Sequence, residues 1–168
     1  MVRMFAERID DGALLRLIRK WLKAGVLDTD GQVLHPVTGT PQGGTVSSLA
    51  AHISLHDVLD WWADRWRRQH ARGDVIIVRD ADDCMVGFAH RDDAAQFWRE
   101  LQERFGTFNL VLHPEQTRRI EFGRCAVERR QWRAQGKPEP FDFLGLTHTG
   151  SKTRNGQCAV RRKMIAQR

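Results

Sequence analysis

The sequence predicts an α+β fold in which a small antiparallel sheet is backed by helices. Segments whose apolar residues recur every three or four positions alternate with short β-branched runs, so both helices and strands are expected. The chain has 168 residues, of which 41% are hydrophobic, which is enough for one core of ordinary size but short for two domains. We therefore expect one globular unit.

The first predicted element is an amphipathic helix over residues 13–26. Asp10 or Asp11 is placed to cap its first turn. Its apolar positions follow helical spacing and are Leu14, Ile18, Trp21, Leu22 and Gly25. Residues 27–44 contain an Asp-Gly pair and two prolines. We therefore expect turns there, and a hairpin is one arrangement that fits them.

A second, longer helix is predicted to begin after Gly44 and to break at Gly73, just after a basic run. Its apolar face consists of Val46, Leu49, Ile53, Leu59, Trp62 and Trp66. A third helical face consists of Ala94, Trp98, Leu101 and Phe105. We expect Trp21, Trp62 and Trp98 to be core residues, whereas Trp132, in a basic segment, is the better candidate for stacking on a base.

Several short apolar runs predict the strands of the sheet. Residues 74–79 are β-branched and nearly continuous, and residues 84–88 offer a second strand after an acidic turn. Residues 141–146 are predicted to form one more strand. Residues 124–140 are rich in charge and end in prolines, so we expect an exposed loop or arm, followed after residue 152 by a basic tail with little pattern.

The acidic segment Asp80-Ala81-Asp82-Asp83 joins the first two strands and carries three carboxylates. Like charges held close cost folding energy unless a cation neutralises them, and carboxylate oxygens suit Mg²⁺ or Mn²⁺. A pair of such ions assists nucleotidyl transfer by activating the attacking oxygen and stabilising the leaving one. An ordinary solvated turn is the alternative, but buried strands on both sides favour a site. Such a site needs at least one further carboxylate.

Charge and cysteine content bound the remaining function classes. The formal net charge of +6 favours an anionic partner such as nucleic acid, although a merely basic soluble protein has the same balance. Three widely spaced cysteines without a CxxC pair indicate neither a zinc site nor a disulfide framework, which fits a reducing cytoplasm. We expect no signal peptide and no membrane span. The histidines lack ligand spacing.

Six segments carry motifs in a fixed order. They are GTPQGG at 39–44, VSSLA at 46–50, RDADD at 79–83, LHPEQT at 112–117, IEFGR at 120–124 and FDFLG at 141–145. Together with LIRKWLKAG at 17–25, they resemble the reverse transcriptase, or maturase, that bacterial group II introns encode. The resemblance extends from about residue 11 to residue 163 and implies the palm of a right-hand polymerase.

The resemblance assigns roles to the residues at matching positions. Asp82 and Asp83 would bind the catalytic metal, Mg²⁺ or Mn²⁺. The nucleotide and template pocket would be lined by Gly39, Thr40, Pro41, Gln42, Gly43 and Gly44, and the primer grip by Phe143, Leu144 and Gly145. The implied function is RNA-directed DNA polymerisation by two-metal nucleotidyl transfer, with an RNA template or intron RNA, a DNA primer and deoxynucleoside triphosphates.

The residue chemistry of the glycine-rich segment agrees with this role. Glycines allow a nucleic-acid strand to approach the backbone closely, and Gln42 offers a neutral donor and acceptor. A simple glycine loop that caps a helix is the alternative.

The resemblance also defines what these residues lack. Residues 1–168 would be a partial reverse transcriptase domain, with the fingers, the strand carrying the first metal-binding aspartate, and the thumb outside this range. We therefore expect polymerisation to require a complementing fragment. Asp80 stands where the family has an aromatic residue, Gln116 where it has Lys, and Ser48 where it has Pro.

Basic residues in the last third of the chain are candidates for RNA binding, with a solvated charged face as the alternative. The candidates, with one tryptophan among them, are Arg129, Arg130, Trp132, Arg133, Arg161, Arg162 and Lys163. A second functional hypothesis is therefore a non-catalytic, RNA-binding remnant of a maturase. A third is a decaying reading frame whose product has no role.

Overall fold

The computed structural model describes residues 2–27, 30, 33–34, 47–123, 126–134, 136–155 and 157–165. The chain divides into two compact units, Met1–Asn109 and Leu110–Arg168, and each is described by itself. Both contain helix and antiparallel sheet, so the predicted α+β class is confirmed. The single-domain organisation of residues 1–168 stays a prediction.

In its described residues, the first unit contains five α-helices, one π-helical segment and two small hairpins. Its helices are α1 (Val2–Ala6), α2 (Gly12–Lys23), α3 (Ser47–Leu55), α4 (Trp61–His70) and α5 (Arg91–Thr107), and the π-helical segment is His56–Asp60. Its strands are β1 (Val26–Leu27), β2 (Val33–Leu34), β3 (Val75–Asp80) and β4 (Asp83–Phe88). The pairing of β1 with β2 confirms the hairpin expected near Asp30.

Helix α2 begins where the sequence predicts. The Asp11 carboxylate accepts the N–H groups of Ala13 at 2.7 Å and Leu14 at 3.2 Å, as an N-cap does. The predicted apolar face is only partly correct, because Ile18 is buried with Phe5 and Ala50 while Leu14 is exposed. Trp21 is 46% exposed and is not the core residue that its spacing predicted.

The second predicted helix is helical throughout residues 47–70, but it is not a regular α-helix. Between α3 and α4 the Trp61 N–H donates to the carbonyl of His56, five residues back. This π-helical segment was missed. The sequence gives no sign of it, because Leu55, Val58 and Leu59 continue the apolar pattern through the segment at spacings that an α-helix also shows.

The predicted apolar face of α5 is partly correct, because Leu101 and Phe105 are buried whereas Ala94 and Trp98 are only half-buried. The buried side chains are spaced by four and are Asp93, Phe97, Leu101 and Phe105. Phe97 contacts Trp66 of α4 edge-to-face with ring centroids 5.0 Å apart, and Trp62 at 5.1 Å. Trp62 is therefore a half-buried core residue as predicted, while Trp98 lies beside the buried row and is also half-buried.

Strands β3 and β4 form an antiparallel hairpin that the sequence predicted well. Their register pairs Val75 with Phe88 at the open end and Asp80 with Asp83 at the turn. Side chains alternate between two faces of such a hairpin. Phe88 packs on Phe97 of α5 at 5.2 Å, so one face rests on the helices.

The described part of the second unit contains a three-stranded meander and one helix, and here three predictions are wrong. Its elements are α6 (Ala126–Trp132), β5 (Phe141–Phe143), β6 (Leu146–Lys152) and β7 (Cys158–Met164), in sheet order β5-β6-β7. Part of the expected loop at 124–140 is helical, anchored by buried Ala126. The strand predicted over 141–146 turns after Phe143, and the tail contains β7, whose pattern is hidden by basic residues.

Aromatic packing supports the meander from one side. Phe141 contacts Phe122 edge-to-face with centroids 5.0 Å apart and stacks on His148 at 4.8 Å. None of the helices in the described part of the chain is both long and apolar enough to cross a membrane.

Candidate functional site

The acidic turn of the sequence is the tip of the β3-β4 hairpin. Asp80 ends β3, Asp83 begins β4, and only Ala81 and Asp82 form the loop between them. Ala81 has φ +52°, a left-handed conformation at the first loop position, where hairpins of this length commonly have glycine. The three carboxylates are all exposed.

The two faces of this hairpin have different chemistry. Asp80 and Asp83 are direct cross-strand partners, so their side chains share one face with Ile76 and Val78. Ile76 is 64% exposed on that face. The opposite face carries Arg79 and packs toward the helices, so carboxylates and apolar residues are presented together on the open face.

Arg79 joins the turn to the helical layer. Its guanidinium donates from Nε to Oδ1 of Asp60 at 2.7 Å and from Nη2 to Oδ2 at 2.6 Å, a bidentate pair. Its Nη1 donates to the carbonyl oxygen of Ala81 at 2.7 Å. Partial burial opposes ionisation of Asp60, but the hydrogen bonds and charge of Arg79 outweigh it and lower the pKa of that carboxyl. Motif resemblance identified neither Asp60 nor its link to the turn.

Three arginines from different elements hold the π-helical segment that carries Asp60. Arg104 of α5 donates to the carbonyls of Asp57 at 3.0 Å and Val58 at 2.5 Å, while Arg8 forms a bidentate pair with the Asp57 carboxylate and Arg79 holds Asp60. Desolvation lowers the pKa of Arg104, but an arginine guanidinium keeps its positive charge in a protein. The segment is thus a fixed support behind the acidic turn.

The acidic turn offers the right type of metal ligand but too few ligands for a complete site. The carboxylates of Asp82 and Asp83 are hard oxygen donors of the kind that Mg²⁺ prefers. Among the residues that the structure describes, however, no three His, Cys, Asp or Glu side chains are grouped so as to hold a metal. The donor type fits a divalent ion, whereas the number of donors does not complete a site.

Cys84 follows the acidic turn but has the wrong ionisation state for a nucleophile. Desolvation raises the pKa of its thiol to about 11, and the negative charge of Asp60 adds to that increase. The thiol therefore stays protonated near neutral pH, and only the thiolate is strongly nucleophilic.

The segment predicted as the primer grip is the β5-β6 hairpin of the second unit. Phe143 pairs with Leu146, and the two loop residues, Leu144 and Gly145, have φ values of +51° and +72°. Positive φ at both loop positions is typical of a type I′ turn. The N–H of Ile165 donates to the Gly145 carbonyl at 3.0 Å, and the exposed Leu144 side chain projects from the fixed turn.

The predicted nucleotide pocket is not among the described residues, and the other two predicted sites lie in different units. Residues Gly39–Gly44, the predicted nucleotide and template pocket, lie outside the described residues. The acidic turn and the predicted primer grip belong to different units, so each is described within its own unit.

The candidate RNA-binding residues are mostly exposed. Trp132 is 92% exposed at the end of α6, beside exposed Arg129, whereas Arg133 is paired with Glu121 at 3.4 Å. In the β6-β7 register Arg161 and Lys163 oppose Thr149 and Thr147 on one face. Arg162 lies on the other face, opposite His148.

Comparison with known proteins identifies the family. The family model described as "Reverse transcriptase (RNA-dependent DNA polymerase)" matches residues 2–148, most of the chain. The chain belongs to the reverse transcriptase family. The resemblance noted in the sequence is thereby confirmed, and the mixed helices and small antiparallel sheets agree with a palm-like portion of a reverse transcriptase.

Two curated relatives of this reverse transcriptase family member come from introns of yeasts. One, named as an uncharacterized 91 kDa protein in the cob intron of Schizosaccharomyces pombe, is 38% identical over 58 residues, covering 34% of this chain and 7% of the relative. The other, a putative COX1/OXI3 intron 1 protein of Saccharomyces cerevisiae, is 22% identical over 163 residues. That match covers 70% of this chain and 20% of the relative. The chain thus spans a fifth or less of the length of these relatives.

Proposed function

We propose that this chain is the palm portion of an RNA-directed DNA polymerase of the kind encoded by group II introns. The observation that carries the proposal is the hairpin tip at Asp80–Asp83. It presents exposed carboxylates on two paired strands, and its backbone is tied to a buried helical layer through Arg79. A polymerase needs fixed carboxylates at an open surface, because template, primer and nucleotide must all reach them.

Asp82 and Asp83 are proposed as two members of a larger ligand set for Mg²⁺ or Mn²⁺. When bound, such ions supply charge stabilisation for the transferring phosphoryl group and activation of the primer hydroxyl. The residues of the chain itself hold the two carboxylates at the hairpin tip and leave the face open to substrate. The described donors do not complete a site, and we propose that at least one further carboxylate joins Asp82 and Asp83.

The β5-β6 hairpin supports the same proposal through its shape. A leucine in a left-handed turn stores conformational strain, and such strain persists where surrounding bonds fix the backbone. We assign the exposed Leu144 and the adjacent Phe143 and Gly145 to contact with the primer end. Gly39–Gly44 are proposed to contact template and nucleotide on the strength of the family resemblance alone.

Primer extension tests the polymerase proposal. The chain is given Mg²⁺, deoxynucleoside triphosphates and an RNA template with an annealed primer, with and without a complementing upstream fragment. We expect extension only with the fragment. Asp82→Asn and Asp83→Asn should each lower the rate by about a hundredfold or more, the scale of losing one group that stabilises transition-state charge.

Asp74→Asn is the matched control, because Asp74 is an exposed aspartate at the opposite end of the same hairpin. It should leave extension near the wild-type rate. No extension under either condition would sink the proposal, and equal loss in the Asp74 variant would show that the effect is not specific to the tip.

A non-catalytic RNA-binding remnant is the second candidate, favoured by the exposure of Trp132. Among the described residues its ring has no hydrogen-bonding or aromatic partner, whereas the exposed Trp61 lies under the guanidinium of Arg65 at 5.6 Å. A tryptophan in water beside cationic side chains is suited to stacking on an unpaired base while the cations meet phosphates. This candidate predicts RNA binding without polymerisation.

Fluorescence anisotropy with a labelled single-stranded RNA, measured over a range of salt concentrations, tests this binding. Trp132→Leu should weaken it by about tenfold, the lower part of the usual stacking contribution of about 1–3 kcal/mol. Arg161→Gln and Lys163→Gln should each reduce the salt slope by about one. Trp61→Leu is the control and should bind as wild type. Undetectable or salt-independent binding would remove this candidate.

A further inference from the structure

One guanidinium connects the acidic turn to the helices through three N–H groups. Two of them bind both oxygens of Asp60, and the third binds the carbonyl of Ala81 inside the turn. The Arg79 side chain is only 14% exposed and Asp60 28% exposed, so the pair is shielded from competing water. A partly buried bidentate pair is more specific in its geometry than a surface ion pair.

The bond from Arg79 falls on the strained residue of the turn. Ala81 has φ +52°, a conformation that residues with a Cβ rarely adopt. The carbonyl that Arg79 holds belongs to the peptide linking Ala81 to Asp82, so its orientation bears directly on the direction of the next two residues. The two-residue loop of the hairpin favours a positive φ at this position, and the bond from Arg79 supplies a side-chain contact that holds an alanine there.

Asp60 is itself fixed, which makes it a suitable anchor. It ends the π-helical segment, in which Arg104 donates to the carbonyls of Asp57 and Val58. π-helical segments interrupt regular helices and occur frequently at functional sites. Here Arg104 of α5 binds the backbone of the irregular segment, and the segment carries the carboxylate that receives Arg79.

We propose that Asp60 and Arg79 are positioning residues that hold the acidic turn in its left-handed form and thereby aim Asp82 and Asp83. The inference rests on the proposed function of the turn, and it adds two residues that the motif resemblance does not assign. Neither residue contacts substrate; each acts through the backbone of Ala81. The geometry of the turn, more than its charge, is what this pair controls.

The first test measures the conformation of Ala81 directly. Backbone NMR chemical shifts of Ala81 and Asp82 report their φ and ψ angles. In Arg79→Lys, Arg79→Gln and Asp60→Asn the Ala81 shifts should move away from left-handed values, while signals of the α5 core show that each protein is folded. If Arg79→Gln does not fold, the two milder variants decide. Wild-type Ala81 shifts in these variants would overturn the inference.

Arg8→Gln is the matched control. Arg8 also forms a bidentate pair with an aspartate of the π-helical segment, Asp57, but neither partner touches the turn. This variant loses a comparable ion pair and should keep the Ala81 shifts of wild type. An equal change in the Arg8 variant would mean that any loosening of the segment disturbs the turn, which would also contradict a specific role for Arg79.

The second test is steady-state primer extension with the full chain and its complementing fragment. Arg79→Lys keeps the positive charge but loses the bidentate geometry of the guanidinium. We therefore expect kcat to fall about tenfold to a hundredfold, as it does when a reacting group is misplaced by about an ångström, while KM for the nucleotide changes little. Arg8→Gln should keep the wild-type kcat.

Failure of this inference is distinguishable from failure of the proposed function. If Asp82→Asn and Asp83→Asn abolish extension while Arg79→Lys keeps the wild-type kcat, the function stands and the positioning role is wrong. If the two aspartate variants extend primers normally, the proposed function fails, and the positioning of catalytic groups fails with it.

Discussion

Ala81 and Leu144 both adopt a left-handed backbone conformation that is rare for residues with a Cβ. Each has a positive φ at the tip of a hairpin, where a residue with a Cβ costs about 1–2 kcal/mol relative to an ordinary conformation. In both cases a hydrogen bond from outside the loop fixes the turn, from Arg79 to Ala81 and from Ile165 to Gly145. Strain held in this way marks the two segments that the motifs had assigned to polymerase chemistry.

The buried carboxylate of Asp93 has a pH-dependent effect on stability. Only 2% of the residue is exposed, and its oxygens accept the N–H of Arg72 at 2.8 Å and the Arg72 Nε at 2.9 Å. The backbone hydrogen bond from Arg72 lowers the pKa of Asp93, and the guanidinium adds to this, while burial works against it. The charged form is therefore the one that stabilises the folded state.

The sign of the effect follows from this lowered pKa. The contribution of Asp93 is fully present above the ordinary carboxyl pKa of 3.8 and is lost as the pH falls below it toward the lower folded value. Denaturant unfolding from pH 7 to pH 3 should show a steeper acid loss of unfolding free energy in wild type than in Asp93→Asn. Asp92→Asn, which removes the exposed neighbour that touches the same arginine, is the control. Parallel wild-type and Asp93→Asn profiles would contradict the prediction.

The π-helical segment His56–Asp60 is the element whose shape matters most to the candidate site. It places Val58 and Leu59 in the core while Asp60 meets Arg79 of β3. A regular α-helix advances 100° per residue, so one inserted residue changes which side chains face the sheet. The sequence does not reveal the segment, because Leu55, Val58 and Leu59 continue through it at helical spacing, and its contacts with Arg104 and Arg79 come from elements distant in the chain.

Arg104 should be essential for this element. Arg104→Met keeps an apolar side chain but removes the guanidinium, which donates to the carbonyls of Asp57 and Val58 and lies over the rings of Trp62 and Phe108. Since a hydrogen bond from a charged group contributes about 1.5–3 kcal/mol, we expect the free energy of unfolding to fall by about 2 kcal/mol or more. Chemical denaturation monitored by circular dichroism measures it.

Arg99→Met provides the comparison for Arg104→Met, because Arg99 is an exposed arginine on the same helix. It should change stability by no more than about 0.5 kcal/mol. Similar losses in the two variants would show that the removal of positive charge from α5, and not the carbonyl contacts, is responsible.

At the scale of the whole molecule, the chain combines a helical unit that carries the acidic turn with a meander that carries basic residues. The formal net charge is +6, although the β3-β4 tip is acidic. A net positive charge favours binding of a polyanion, and this general property agrees with the proposed function. The family match over residues 2–148 spans parts of both units, which agrees with one shared ancestry.

In the second unit, the errors in prediction concern whole elements. Basic residues on β7 mask its alternation, because long charged side chains remain exposed on both faces of a small sheet. The sequence predicts a strand where the Leu144-Gly145 turn lies, since leucine is not a residue typical of a left-handed conformation. The charge of residues 124–140 predicts a loop where α6 forms, because buried Ala126, which anchors this helix, is small and adds little to the apolar pattern.

The sequence by itself determined the fold class, the cap of α2, the β3-β4 hairpin and the family, because these depend on local spacing, local hydrogen bonds and ordered motifs. Only the tertiary structure revealed that Asp60 and Arg79 are partners across 19 positions and that their bond reaches Ala81. An ion pair between distant segments leaves no periodic trace in a chain. Such an ion pair forms only if packing turns the two side chains toward each other, and packing is a property of the tertiary structure.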